Sequence, residues 1–135
     1  MKIVCVDDHP VMLRGLTQNI KEILPTASTH AFSGTREALD FVKDNGCDVL
    51  ISEIELRGTL DGLNLARSVQ KLFPRVNIIF VTVCDEREHA REVFDIKPSG
   101  YLVKPAEKDR LTYELTHLRY PTVGSDSIEY NQNRT

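Results

Sequence analysis

The chain has 135 residues, 41% of them hydrophobic and 27% charged, with a formal net charge of -3. That is the size of one ordinary domain, long enough to bury a core without disulfide or metal staples. The balance of charge gives no support for the clustered basic surface of a direct nucleic-acid binder, and the lack of any run of about 18 apolar residues argues against a membrane span.

Residues 2–7 (KIVCVD) read as a short buried strand that passes straight from the N-terminus with no signal-peptide layout. A helix follows over 10–24, because Met12, Leu13, Leu16, Ile20, Ile23 and Leu24 recur at spacings of three and four, and Pro25 stops it. A weaker strand covers 27–32. A second helix covers 35–44, with Asn45-Gly46 as its stop signal. Asp48 to Glu53 is the third strand. Leu63, Ala66, Val69, Leu72 and Phe73 then mark a third helical face, ended by Pro74. The most hydrophobic run, 77–83 (NIIFVTV), predicts a central strand. Residues 86–95 predict a short, charged helix, 100–103 a last strand and 107–118 a last helix.

Five strands thus alternate with five helices, and several strands are apolar on both faces. That pattern predicts an α/β fold: a doubly wound parallel sheet covered by helices on both sides. The three cysteines, Cys5, Cys47 and Cys84, form no CxxC pair and their odd count argues against a disulfide framework; reduced thiols in a cytoplasmic protein are the expectation. Residues 119–135 are polar with little periodicity and read as a linker or C-terminal tail after a domain spanning 1–118.

In open sheets of this kind ligands bind beyond the carboxyl ends of the strands. Those ends carry Asp7-Asp8, Glu53, Thr82 with Asp85 shortly after, and Lys104-Pro105. Clustered carboxylates repel unless a proton or a cation intervenes. Acids with water and phosphate are the ordinary surroundings of Mg²⁺, while a hydroxyl and an ammonium suit phosphoryl oxygens. Each residue also has an ordinary reading: a strand-end Asp as a turn or helix cap, Thr82 as a β-branched strand residue, Lys104 as a solvated charge. Four independent strand ends with compatible groups favour the shared pocket.

The segments VCVDDHPVMLRGL, DVLISEIEL, IIFVTVCDE and GYLVKP, in this order and spacing, resemble the receiver (CheY-like) domain of bacterial two-component response regulators over roughly residues 1–118. The resemblance implies a flavodoxin-like sheet of order 2-1-3-4-5 and a role in phosphorelay signal transduction, regulating transcription or another output. It implies that Asp7, Asp8 and the main-chain carbonyl of Glu55 bind Mg²⁺, with Glu53 a further metal candidate. Thr82 and Lys104 would contact phosphoryl oxygens, Tyr101 would be the switch aromatic, and the Lys104–Pro105 bond would be cis. A sensor histidine kinase is the implied input partner. An effector, DNA-binding and C-terminal to this segment, is the implied output, with a homodimer as a further expectation. The domain itself is not expected to be an enzyme. The loop IELRGTLDG lacks the common Met-Pro and resembles the L-x-G-x-x-D-G variant, in which Gly58 and Gly62 suit tight turns.

The departure from the family is Glu53, which stands where the phosphoacceptor Asp is expected. One extra methylene carries the carboxylate out by about 1.5 Å, and a misplacement of about 1 Å can cost roughly a hundredfold in rate. Glu53 is therefore expected to be a poor acceptor, and its charge, nearer to where a phosphoryl group would sit, is expected to mimic one. A native Glu and an introduced Asp-to-Glu change read alike in sequence. Rival readings are a flavodoxin-like cofactor domain, disfavoured by acids where a phosphate loop belongs, and a hydrolase, for which no nucleophile elbow or triad is present. A phosphorylation-independent pseudo-receiver acting as a protein-interaction module is the alternative.

Overall fold

A computed structural model of the protein describes residues 1–122. Five strands, β1 (Lys2–Val6), β2 (Ser28–Phe32), β3 (Val49–Ser52), β4 (Asn77–Thr82) and β5 (Gly100–Val103), alternate with five helices, α1 (Pro10–Ile23), α2 (Thr35–Asn45), α3 (Asp61–Leu72), α4 (Ala90–Ile96) and α5 (Lys108–Thr116). The strands form one parallel sheet in the order β2-β1-β3-β4-β5, as predicted.

The apolar runs of β1, β3 and β4 are buried on both faces, and their residues divide alternately between two cores. Val4, Val6, Leu50, Ile78 and Phe80 pack with Ala38 and Val42 of α2, Leu63, Ala66 and Val69 of α3 and Ile96 of α4. Ile3, Cys5, Val49, Ile51, Ile79 and Val81 pack with Ile20 of α1 and Leu111 and Leu115 of α5. Period-two alternation is present, but both faces are covered, so it never shows as apolar against polar. The weaker strand β2 lies on one edge and β5 on the other. All three cysteines are free and buried, and no helix among the described residues is long and apolar enough to cross a membrane.

The charged helix predicted over 86–95 begins four residues later, at Ala90. Asp85 is the cause. Its carboxylate accepts the Arg87 N–H at 2.8 Å and its carbonyl accepts the Glu88 N–H at 2.9 Å, closing a turn over 85–88. His89 then takes a left-handed backbone, φ 57°, before the helix starts. Asp85 itself is exposed, pairs with Arg87 Nε at 3.2 Å, and does not join the other strand-end acids.

The loop after β3 is a miniature hairpin. Leu56 and Thr59 bridge one another, while Arg57 (φ 53°) and Gly58 (φ 75°) take the positive-φ pair of a type I′ turn. Gly58 thus serves the turn that its spacing suggested. Gly62 serves a different need. It lies in the first turn of α3, where a Cβ would stand 1.6 Å from the Glu53 carbonyl oxygen and 2.8 Å from that of Ile54. Gly62→Ala would gain helix propensity, but the clash is with backbone and wins. The expected loss is about 1–3 kcal/mol or more, read as a lower urea midpoint.

Candidate functional site

β1 is flanked by β2 on one side and β3 on the other, so the direction of winding reverses there and a crevice opens at the carboxyl ends of the strands. Asp7 follows β1, Glu53 follows β3, Thr82 closes β4 and Lys104 follows β5. The backbone holds them in register: Glu53 N–H donates to Val6 O at 3.1 Å and Lys104 N–H to Thr82 O at 2.7 Å. The Lys104–Pro105 bond is cis.

Lys104 Nζ stands between two acids, 2.7 Å from Asp7 Oδ2 and 3.0 Å from Glu53 Oε1. All three side chains are under a tenth exposed. Burial alone would lower the Lys104 pKa, but its hydrogen bonds to Asp7 and Glu53, with their charges, outweigh burial and raise it. A raised folded-state value contributes stability that is fully present below the ordinary lysine value of 10.5 and is lost as pH climbs through the folded value. Urea denaturation is therefore expected to show the parent losing stability more steeply than Lys104→Met once pH passes 10.5, on top of the loss that the raised cysteine and tyrosine groups give to both.

Glu53 is further bound by main-chain amides. Its Oε2 accepts the Ile54 N–H at 2.7 Å, and its Oε1 accepts the Val83 N–H at 3.2 Å. Thr82 is buried beside this site, but its Oγ1 accepts the Cys84 N–H at 3.1 Å instead of facing Glu53. Of the two groups that the resemblance implies for phosphoryl contact, Lys104 meets the Glu53 carboxylate; the other contact is the amide next to Thr82, not the Thr82 hydroxyl. Asp7 Oδ1 accepts the His9 N–H at 3.0 Å, at the start of α1. Asp8 points to the hairpin loop and accepts the Arg57 N–H at 3.0 Å. The Glu55 side chain turns away from this pocket and meets His89 Nε2 at 3.2 Å.

Tyr101 lies against the core, edge-on to Phe80 with ring centroids 6.3 Å apart. Its hydroxyl donates to the Cys84 carbonyl at 2.9 Å, with the Asp85 carbonyl at 3.3 Å. Burial first, then the charges of neighbouring acids, push the Tyr101 hydroxyl pKa up. Burial likewise raises Cys84, and pushes Cys47 up to about 12.

At the opposite end of the sheet, Asn77 exchanges two hydrogen bonds with the main chain of Tyr120, each 2.8 Å. Arg75 lies over the Tyr120 ring, 5.2 Å from its centroid. Arg119 Nη1 donates to the Lys97 carbonyl at 2.6 Å. Residues 119–122 of the polar tail are thereby held on the domain; 123–135 fall outside the described residues.

Comparison with known proteins gives one answer. The family described as the response regulator receiver domain matches residues 3–116. The transcriptional regulatory protein YpdB of Escherichia coli is 29% identical over 118 residues, covering 87% of this chain and 47% of that protein. The oxygen regulatory protein NreC of Staphylococcus haemolyticus is 31% identical over 113 residues, 82% of this chain and 51% of that one. The chain spans about half the length of these curated relatives. Among solved structures, a CheY-like receiver domain protein from Methanospirillum hungatei superposes with a TM-score of 0.77 at 17% identity, covering 99% of this chain and 98% of that one. The chemotaxis protein CheY4 of Vibrio cholerae gives 0.74 at 22%, covering 84% and 94%. Such receivers are signalling modules, in general not enzymes, and in general they bind Mg²⁺ at the phosphorylation site. The crevice at the strand ends, the sheet order and the family match together establish that this chain belongs to the response regulator receiver domain family of two-component signalling.

Proposed function

We propose that this receiver signals without taking a phosphoryl group, its Glu53 carboxylate standing in for one. The observation that carries the reading is the partner set of Glu53: the Lys104 ammonium at 3.0 Å and the amides of Val83 and Ile54 at 3.2 and 2.7 Å. An ammonium and fixed N–H donors are what charged phosphoryl oxygens require. Tyr101, turned inward onto the Cys84 carbonyl, supports a bias toward the signalling state. The bias is partial, because a carboxylate brings one negative charge against about two on a phosphoryl group.

Asp7, Asp8 and the main-chain carbonyl of Glu55 would hold Mg²⁺, with Glu53 as a further ligand. The donors fit: hard oxygens, and three carboxylates against the single ammonium of Lys104 leave two charges for a divalent cation. Bound there, the cation would neutralise the acids and any phosphoryl oxygens; Lys104 would orient the carboxylates, and Thr82 would add a hydroxyl after turning from Cys84. The input partner is a sensor histidine kinase, to which this domain responds weakly or not at all. The output partner is an effector, DNA-binding and C-terminal, in keeping with the transcriptional role named for YpdB. Free, buried cysteines suit a cytoplasmic protein, and the receiver unit runs over 1–118, followed by a linker.

Intact-mass measurement after incubation with acetyl phosphate and Mg²⁺ is expected to show no phosphoryl adduct. A stoichiometric, acid-resistant and alkali-labile adduct on Glu53 would overturn the reading.

A further inference from the structure

A second group of chemistry-bearing side chains lies outside the phosphorylation pocket. Cys84, Glu88 and His89 come from the loop between β4 and α4, and Glu55 from the loop after β3. One donor atom from each, the Cys84 thiol sulphur, a His89 ring nitrogen and one oxygen of each carboxylate, lies within 4.8 Å of all the others. Cys84 is buried, while the His89 and Glu55 side chains are a quarter and two-fifths exposed. The site is thus a walled floor with an open side through which an ion can enter.

The ordinary account is a surface His–Glu pair, since His89 Nε2 meets Glu55 Oε1 at 3.2 Å. That account leaves two things unexplained. A thiol faces two carboxylates, and no lysine or arginine forms an ion pair with Glu55 or Glu88 among the described residues. A four-coordinate zinc ion with bonds of 2.0–2.3 Å places its ligand atoms roughly 3.4–3.7 Å apart. A pair at the 4.8 Å bound would need to close by about 1 Å; the exposed Glu88 side chain, whose Oε1 accepts the Asp85 N–H at 3.3 Å, can supply such an adjustment by a change of rotamer. One sulphur, one imidazole and two carboxylates are a mixed soft and borderline set, unlike the all-oxygen pocket around Asp7 and Asp8, and Mg²⁺ is a poor match for it.

The geometry points to a zinc-class transition-metal site formed by Cys84, His89, Glu55 and Glu88, separate from the Mg²⁺ pocket. Binding replaces the Cys84 thiol proton, which leaves to solvent. The ion ties the loop after β3 to the β4–α4 loop. It also anchors Cys84, whose carbonyl receives the Tyr101 hydroxyl, so an occupied site holds Tyr101 inward whatever the state of residue 53.

The test is Co²⁺ titration of the untagged full chain in excess Mg²⁺, read by absorption. One Co²⁺ per chain, with tetrahedral visible bands and a thiolate-to-cobalt charge-transfer band that Zn²⁺ abolishes, is expected. Cys84→Ser should remove the charge-transfer band. His89→Gln should weaken affinity by at least the 10- to 100-fold that loss of an outer-shell partner costs. Glu88→Gln, at an exposed position, should weaken binding with the fold intact by circular dichroism. Absence of the charge-transfer band in the parent protein would overturn the site, as would its survival in Cys84→Ser or unchanged affinity in both His89→Gln and Glu88→Gln.

Discussion

Glu53→Asp is expected to convert a protein that acquires no stable label from acetyl phosphate into one that carries a single phosphoryl group. Shortening the side chain by one methylene withdraws the carboxylate by about 1.5 Å from Lys104 Nζ and from the Val83 amide, which it now occupies at 3.0 and 3.2 Å. Those donors are then free for the incoming phosphoryl oxygens, and the acceptor oxygen regains room for in-line approach. A misplacement of about 1 Å is worth roughly a hundredfold in rate, so a gain of that order or larger is expected in the initial rate of labelling. Phosphate-affinity electrophoresis or intact mass reads it directly. If the variant stays unlabelled while remaining folded and binding Mg²⁺, the pocket departs from a working receiver at more than one position.

Lys104→Met is expected to be the most destabilising single change in the pocket. Lys104 bridges Asp7 and Glu53, and both carboxylates are about 4% exposed. Removing the ammonium leaves two like charges buried together, and breaking a buried pair from one side costs about 3–5 kcal/mol. At neutral pH that is a large share of a domain's stability. Adding Glu53→Gln to Lys104→Met should restore much of the loss at neutral pH. A loss below about 1 kcal/mol, the range of an exposed pair, would mean that the three groups are solvated.

The alternation of strands and helices was legible because buried parallel strands and amphipathic helices differ in period and length. The start of α4 was not. The four residues before it, Glu86 to His89, are as polar as a solvated helix face, and the turn that claims them is set by one Asp85 side chain. Within the pocket, Asp7, Glu53 and Lys104 were legible because a charged side chain at the end of an apolar strand is conspicuous. The amides of Ile54 and Val83 were not, since every residue but proline carries one and only the backbone path aims it. The direction of the Thr82 hydroxyl was equally hidden: a threonine next to a free amide two residues on can serve its own loop. Gly62 was noticed for its flexibility, yet the structure uses it for its lack of volume against the Glu53 carbonyl.

The anchoring of Tyr120 on Asn77 fixes the segment 119–122 at one end of the sheet. Asn77 opens β4 and Thr82 closes it, a span of about 17 Å at 3.3 Å per residue. Thr122 shares a hollow with Met1, Asp48 and Arg75, all at the end of the sheet remote from Glu53. The mouth of the pocket and the anchored residues 119–122 therefore lie at opposite poles, so this segment leaves a phosphodonor's approach sterically clear.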